Sequence, residues 1–342
     1  MPQVSLPPLS AHSLYLSASA KLRPLLPSLP PPVRDVDVPP LFREPYILSG
    51  YRPPGLPWRC YLLSLFQLHN ETLNVWSHLL AAVRRLWFWT QTSTISFRLD
   101  PTGGGQTRFH CFLLFAAAHL LQAHSELAHY SLFFLDYVGV AIYQYGCALA
   151  LSVYSAEPAW TLAVGQVRVF LPAAAILSWL SCTSCCVAKL CFRRPYPLCR
   201  KLCQVVPLGV AYLLDVSPLA HRLPRCHTRI SQPVSSLHQV ALFLLAACFF
   251  SCPVPERCSP GRYDVIGHAH QLFHLLLALC TLAQQEALFH DFLSRRPALL
   301  RRFGEERLLL ACASFPCLAL CSALTALTMR GRARARLKKE QR

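Results

Sequence analysis

Eight runs of apolar residues follow one another between residues 72 and 329. Each is close to the roughly 17–25 residues that cross a bilayer as an α-helix. They cover about 72–92, 109–127, 132–153, 167–188, 203–220, 237–253, 270–290 and 308–329. Inside lipid only helices and closed barrels satisfy their own backbone hydrogen bonds, and runs of this length predict helices. The expected fold is therefore all-α: a polytopic membrane helix bundle with a seven-helix core and an eighth transmembrane helix. Pro172, Pro207, Pro218 and Pro316 fall inside runs, where membrane helices tolerate them. Arg84 and Arg85 interrupt the first run. A mid-span arginine costs about 2.5–3.5 kcal/mol to insert, which predicts a shifted or snorkelling helix there.

Composition agrees with a membrane chain, since 54% of residues are apolar and only 14% charged, against about a quarter charged in soluble domains. The net charge of +17 resembles a nucleic-acid signal until the basic residues are located. They sit in short clusters between apolar runs, with no basic face interleaved with aromatics, so nucleic acid is excluded as a partner. Membrane lipids take its place, the basic clusters meeting anionic headgroups. Placing the N-terminus in the cytoplasm puts 20 lysines and arginines inside and 10 outside, the bias expected of an N-in, C-in topology. The arginine-rich 291–307 loop opposes that assignment.

Three regions result. Residues 1–45, rich in proline and serine and without an evident signal peptide, are expected to form a flexible cytoplasmic N-terminus. Residues 46–329 form the bundle, and 330–342 a basic cytoplasmic tail. Most of the 17 cysteines lie in or beside apolar runs and act as small apolar residues. Cys182 and Cys185 have C-x-x-C spacing, but no second pair with histidines completes a zinc finger. Acylation near Cys185, Cys186 or Cys191 is the better reading.

Ionisable residues inside spans are costly unless paired, hydrated or ligated, and mark function by default. His119 lies in FAAAHLLQAHSEL at the end of the second run, Asp136 in FFLDYVGV near the start of the third, and His270 and His274 in GHAHQLFH at the start of the seventh. Counting spans puts all four on the same side of the membrane, whichever side is inside. His270 and His274, four residues apart, share a helix face. Three neutral imidazoles suit tetrahedral zinc with a fourth position for water, and Asp136 could hold that water. Against this stands the plain alternative that each histidine is a hydrogen-bonded interior residue.

Four stretches carry a specific resemblance: LFREPYILSGYRP (41–53), SLFQLHNETLNVWSHLLAA (64–82), HSEL with LDYVGV (124–140) and GHAHQLFH (267–274). The chain resembles the progestin and adipoQ receptor family from about residue 38 to the end of the eighth run. LDVSPLAHR (214–222), RRPYPLCRKLCQVVP (193–207) and FFSCPVPER (249–257) point to its progestin-receptor branch. The resemblance implies a plasma-membrane receptor for progesterone or a related steroid, signalling through an inhibitory heterotrimeric G protein and linked to oocyte maturation. It also implies Zn2+ held by His119, His270 and His274, with Asp136 orienting the bound water, and it expects the eighth helix. The chain departs from the family at Phe115, where relatives usually carry a serine four residues before the first histidine. A phenyl ring cannot hydrogen-bond a metal-bound water. Arg84 and Arg85 and the 91–108 region depart as well.

Two functions follow. A binding module needs an apolar cavity with a few polar anchors; Gln204, Tyr143, Gln144 and Asp215 are candidates, each equally readable as an interhelical hydrogen bond. A zinc-dependent lipid amidohydrolase of ceramidase type would use the same four metal-site residues, with Phe115 counting against it. An ion or proton transporter lacks the expected inverted repeat or broken helix pair. Gly103-Gly104-Gly105 is a turn and no phosphate cradle, since no G-K-[ST] follows. Asn70-Glu71-Thr72 is formally a glycosylation sequon, expected to stay unmodified on the cytoplasmic side.

Overall fold

The computed structural model describes residues 29–96, 104–192, 196–222, 231–302 and 305–342. In chain order the helices are α1 (Trp58–Leu63), α2 (Thr72–Ser96), α3 (Gly104–Leu121), α4 (Glu126–Ala150), α5 (Pro158–Val164), α6 (Leu171–Cys191), α7 (Leu198–Asp215), α8 (Ser217–Arg222), α9 (Ser231–Ser251), α10 (Ala269–Arg302) and α11 (Glu305–Glu340). No strand occurs among the described residues; one isolated bridge joins Val33 to Tyr51. The chain is an all-α, multi-pass membrane protein.

The eight expected spans correspond to eight long helices, α2, α3, α4, α6, α7, α9, α10 and α11. Three segments among the described residues are long and apolar enough to cross a bilayer by length and composition: Glu126–Ser155, Gln166–Cys191 and Ala269–Arg295. Phe112–His124 and Leu237–Ser251 are shorter apolar stretches. Glu71, Asn74 and His78 line the inner face where α2 begins, and α7 holds Gln204 and Asp215.

Outside, leucines, valines and tryptophans such as Val83, Trp87, Ile176, Val206, Leu244, Leu279 and Leu324 are exposed, the side a bilayer would cover. Arg84 is exposed among them, where its stem can snorkel. Inside, small residues allow close helix approach: Ala141, Ala174, Ala188, Ala211, Ala333, Ser178 and Ser322 are fully buried. One cluster packs Phe134, Val138 and Ala141 of α4 against Cys182 and Cys186 of α6 and Met329 and Ala333 of α11. This contact gives the eighth helix its place in the bundle.

Several expectations change. Residues 29–45 are ordered rather than flexible, because Val38 and Phe42 bury themselves with Ile47 and Tyr51 and Tyr51 pairs with Val33 through both backbone bonds. Residues 1–28 lie outside the described residues. The arginine-rich stretch after the seventh run is a continuation of α10 as far as Arg302, and the basic tail is helical as far as Glu340. Cys185 and Cys186 are buried, so they offer no acylation site, whereas Cys191 is exposed. Asn70 is also buried, and its carbonyl accepts hydrogen bonds from His268 and Gln271. A sequon in that position is closed to modification once the chain has folded.

At one end of the bundle α4 loosens into a π-turn, Leu151–Ser155, which frees carbonyls from the regular ladder. Arg295 of α10 donates to the carbonyls of Ser155 and Ala156 at 3.0 and 3.1 Å. The Ser155 hydroxyl donates to Asp291 at 2.7 Å, and Arg222 of α8 donates to both oxygens of the same carboxylate at 2.8 and 2.7 Å. Removing one partner of a buried pair leaves the other charge uncompensated, at about 3–5 kcal/mol. Asp291→Ala should therefore lower the melting temperature of purified protein in detergent, whereas Arg332→Ala, exposed on α11, should leave it unchanged.

Candidate metal centre and the cavity beside it

Each of the three predicted histidines is set by local structure. His119 sits one turn from the C-terminus of α3, where helix carbonyls lack partners. Buried Arg52 supplies them, donating to the carbonyl of His119 at 2.7 Å, to that of Leu120, and to Ser64 Oγ at 3.0 Å. His270 and His274 open α10, whose first amide, Ala269 N–H, donates to Glu256 Oε2 at 2.8 Å. A carboxylate there satisfies an orphan donor and complements the helix dipole. The turn before it is fixed by Gln271, which donates to the carbonyls of Asn70 and Val265 and accepts from Gly267 N–H.

Once folded, the three rings converge. One ring nitrogen from each of His119, His270 and His274 lies within 4.8 Å of the others. The Nε2 atoms of His270 and His274 are 3.1 Å apart. Zinc–nitrogen bonds at tetrahedral angles separate ligand nitrogens by about 3.3 Å, so this pair already has the spacing a zinc ion requires.

Two residues absent from the sequence-based site complete it. Glu71, just before α2, is buried, and its Oε2 accepts from His119 Nδ1–H at 2.8 Å and from Asn74 Nδ2 at 2.5 Å. Its Oε1 accepts from Gln122 Nε2 at 2.7 Å. With Nδ1 committed as donor, the Nε2 lone pair of His119 turns to the site, the carboxylate–histidine arrangement that fixes the tautomer of metal ligands. His78 of α2 does the corresponding work for His274, its Nε2 lying 2.7 Å from His274 Nδ1. A metal on His274 Nε2 leaves the proton on Nδ1, which then donates to His78. The set of three imidazoles, His119 and His274 buried and His270 half-buried, with two outer partners, fits zinc.

Glu71, Asn74 and His78 occupy positions i, i+3 and i+7, one face of a helix. That spacing was readable from the sequence but lay inside a stretch noted for its sequon and its family resemblance.

The histidines close one end of a cavity of about 230 Å³ between α2, α3, α4, α6, α7, α9 and α10. Its walls include Phe112, Phe115, Phe133, Val140, Leu208 and Phe243. Asp136 lines the histidine end, with Oδ1 lacking a hydrogen-bond partner. Gln204, Tyr143, Gln144 and Asp215, the sequence candidates for ligand contact, all line the cavity too. Tyr143 is held in an interhelical network, donating to Gln284 Oε1 at 2.7 Å and accepting from Thr281 at 3.1 Å. Gln144 donates to the Leu208 carbonyl at 3.2 Å, but its Oε1 has no partner, and neither has Asp215 Oδ1.

A family model described as "Haemolysin-III related" matches residues 66–285, well over half of the chain. The chain is 49% identical to the human membrane progestin receptor beta, covering 92% of this chain and 91% of that protein. It is 48% identical to the membrane progestin receptor alpha of Cynoscion nebulosus, with 92% of each covered. It is 46% identical to the alpha-B form of Danio rerio, covering 94% and 93%. The chain belongs to this haemolysin-III-related, progestin and adipoQ receptor family. Beside the histidines the structure accommodates a large ring at Phe115. Its ring is buried 5.1 Å from the His78 ring, and a Cβ at Gly139 would meet Phe115 Cε1 at 2.9 Å. The missing side chain at Gly139 is what leaves room for the phenyl ring. Gly139→Ala should destabilise the purified protein by about 1–3 kcal/mol through overpacking. Adding Phe115→Ser should cost less than the two single changes summed, a coupling that a double-mutant cycle of thermal unfolding measures.

Proposed function

We propose that this chain is a multi-pass receptor of the plasma membrane, N-terminus cytoplasmic, which takes progesterone or a related steroid into its internal cavity and holds Zn2+ at His119, His270 and His274. The observation that carries the reading is the apolar, phenylalanine-rich cavity running up to the histidine cluster, in a chain whose relatives are named progestin receptors. A steroid needs apolar walls with a few placed polar groups. At about 230 Å³ the cavity lies below the roughly 300–1,000 Å³ of typical small-molecule sites, so binding requires the lining helices to part. That movement is what a receptor can report, since a ligand shifts a conformational equilibrium by its differential affinity for the two states. An inhibitory heterotrimeric G protein at the cytoplasmic face, and a part in oocyte maturation, belong to the same reading through the resemblance of the sequence motifs.

Zinc bound by three imidazoles supplies a Lewis-acidic position. The chain's residues do the rest: Glu71 and His78 orient two of the rings, and the aromatic walls keep water out. Membranes expressing only this chain should bind progesterone saturably, and the purified protein should carry about one zinc per chain by metal analysis. His270→Ala should lose the metal. Absence of saturable binding in folded wild-type protein would overturn the receptor reading.

One observation favours a second reading, a zinc-dependent lipid amidohydrolase. The unpartnered Asp136 Oδ1 lines the same cavity as the histidines, where a carboxylate can accept a proton from water. Phe115 opposes it, an apolar ring at the position where a serine would add a donor. Purified protein given ceramide is expected to release no fatty acid. Release that disappears in both His274→Ala and Asp136→Ala would establish the hydrolase instead.

A further inference from the structure

The end of the cavity remote from the histidines is polar, and its polar groups lack protein partners. α7 and α10 both begin at the histidine end, so later positions along them lie progressively farther from it, at 1.5 Å rise per residue. The metal-end residues of α10 are His270 and His274, whereas Thr281 and Gln284 lie two to three turns beyond. On α7, Leu208 receives Gln144, Tyr212 lies one turn further and Asp215 almost one more. The Tyr212 ring stacks on Phe243 of α9 with centroids 3.5 Å apart. α9 ends at the histidine end, where Phe250 packs on Phe273 with centroids 5.0 Å apart. Gln239, one turn before Phe243 on α9, therefore lies at the level of Asp215.

Three of these groups face the cavity without a hydrogen-bond partner: Asp215 Oδ1, Gln239 Nε2 and the Tyr212 hydroxyl. Asp215 and Gln239 are each 3% exposed. A buried polar atom without a partner costs about 1–3 kcal/mol, and three around one end of one cavity point to an occupant. Their chemistry specifies it. Gln239 Nε2 only donates, Asp215 Oδ1 as a carboxyl carbonyl oxygen only accepts, and Tyr212 does either.

We infer that Tyr212, Asp215 and Gln239 form a distal polar pole that binds a hydroxyl group on the far end of an apolar ligand. The inference rests on the proposal that the cavity takes a steroid. A hydroxyl donates to Asp215 while its two lone pairs accept from Gln239 and Tyr212, so every group is satisfied. A ketone accepts from Gln239 but leaves the Asp215 oxygen without a donor. Polarity at both ends, the histidines at one and this pole at the other, suits a rigid ligand carrying an oxygen at each end.

The test measures dissociation constants with purified full-length protein in lipid nanodiscs. Two matched pairs serve as probes: progesterone with its 20-hydroxy reduction product, and a non-steroidal tricyclic ketone with its alcohol. Wild type should bind the alcohol of a pair about tenfold more tightly than the ketone, the effect of one additional satisfied buried group. Asp215→Asn should reduce that preference, because the amide nitrogen gives a ketone a further donor. Asp215→Leu should abolish the preference, Gln239→Leu should weaken both members of each pair, and both should leave zinc content unchanged. Equal affinities in wild type, tighter binding of the ketone (as an Asp215 O–H turned to the ligand would give), or a preference that survives Asp215→Leu would overturn the pole and assign water to it. Binding of progesterone without discrimination sinks the pole and leaves the steroid reading standing. Discrimination within the tricyclic pair with no progestin binding sinks the steroid reading and leaves the pole. If wild type binds no member of either pair, both are overturned.

Discussion

A carboxylate placed inside a lipid-embedded bundle must find its donors within the protein, because no water is there to supply them. Glu71 meets that demand with three, from His119, Asn74 and Gln122. The consequences spread through the site. Accepting from His119 Nδ1–H fixes one tautomer and turns the other nitrogen towards His270 and His274. It also joins the start of α2 to the end of α3, while Arg52 closes the same helix end from the ordered segment before α1. That segment is itself held to the loop before α10 by Asp264, which accepts from Leu48 N–H and Ser49 Oγ. Gly50, at φ +86, lets the chain pass close beside Asn70, where a side chain would crowd the backbone at 3.3 Å. The histidines therefore meet because polar groups around them were each given a partner, and the apolar packing of the bundle fits around that network.

Much of this was legible in the sequence, for a physical reason: lipid requires long uninterrupted apolar helices, and their lengths locate themselves. The depth argument for His119, His270 and His274 held because antiparallel spans alternate sides, so helix ends can be matched by counting alone. Glu71 and His78 escaped because an acidic residue at the start of a run reads as a boundary and a lone histidine as interior. Their role depends on which neighbour each one faces, and that is tertiary information. The ordering of residues 29–45 was hidden similarly. Proline-rich segments look flexible when scored by composition, yet Val38, Phe42, Ile47 and Tyr51 are enough to bury a small satellite core.

The ligand candidates divide on the same principle. Tyr143 lined the expected cavity, but its hydroxyl both donates and accepts within the protein, so it serves helix packing. Asp215 and Gln144 keep an atom with no partner. All three are polar residues on membrane helices, and only the accounting of hydrogen bonds separates a structural contact from an open one. Tyr212 and Gln239 entered the site by that accounting alone.

Phe115 brings the two functional readings into contrast at a single position. A phenyl ring 5.1 Å from the His78 ring lies beside the histidine cluster and adds apolar wall where hydrolysis would gain from another hydrogen-bond donor. Gly139 across from it has no side chain, and a methyl group there would fall 2.9 Å from the ring; the larger residue is thus matched by a smaller neighbour on the facing helix. A site shaped in this way keeps the outer partners that orient imidazoles, since Glu71 and His78 both remain engaged. On the ligand side Phe115 presents surface suited to an apolar molecule. Orientation of the rings matters equally to a metal that organises the bundle and to one that activates water, whereas the character of the wall matters to what is held against it.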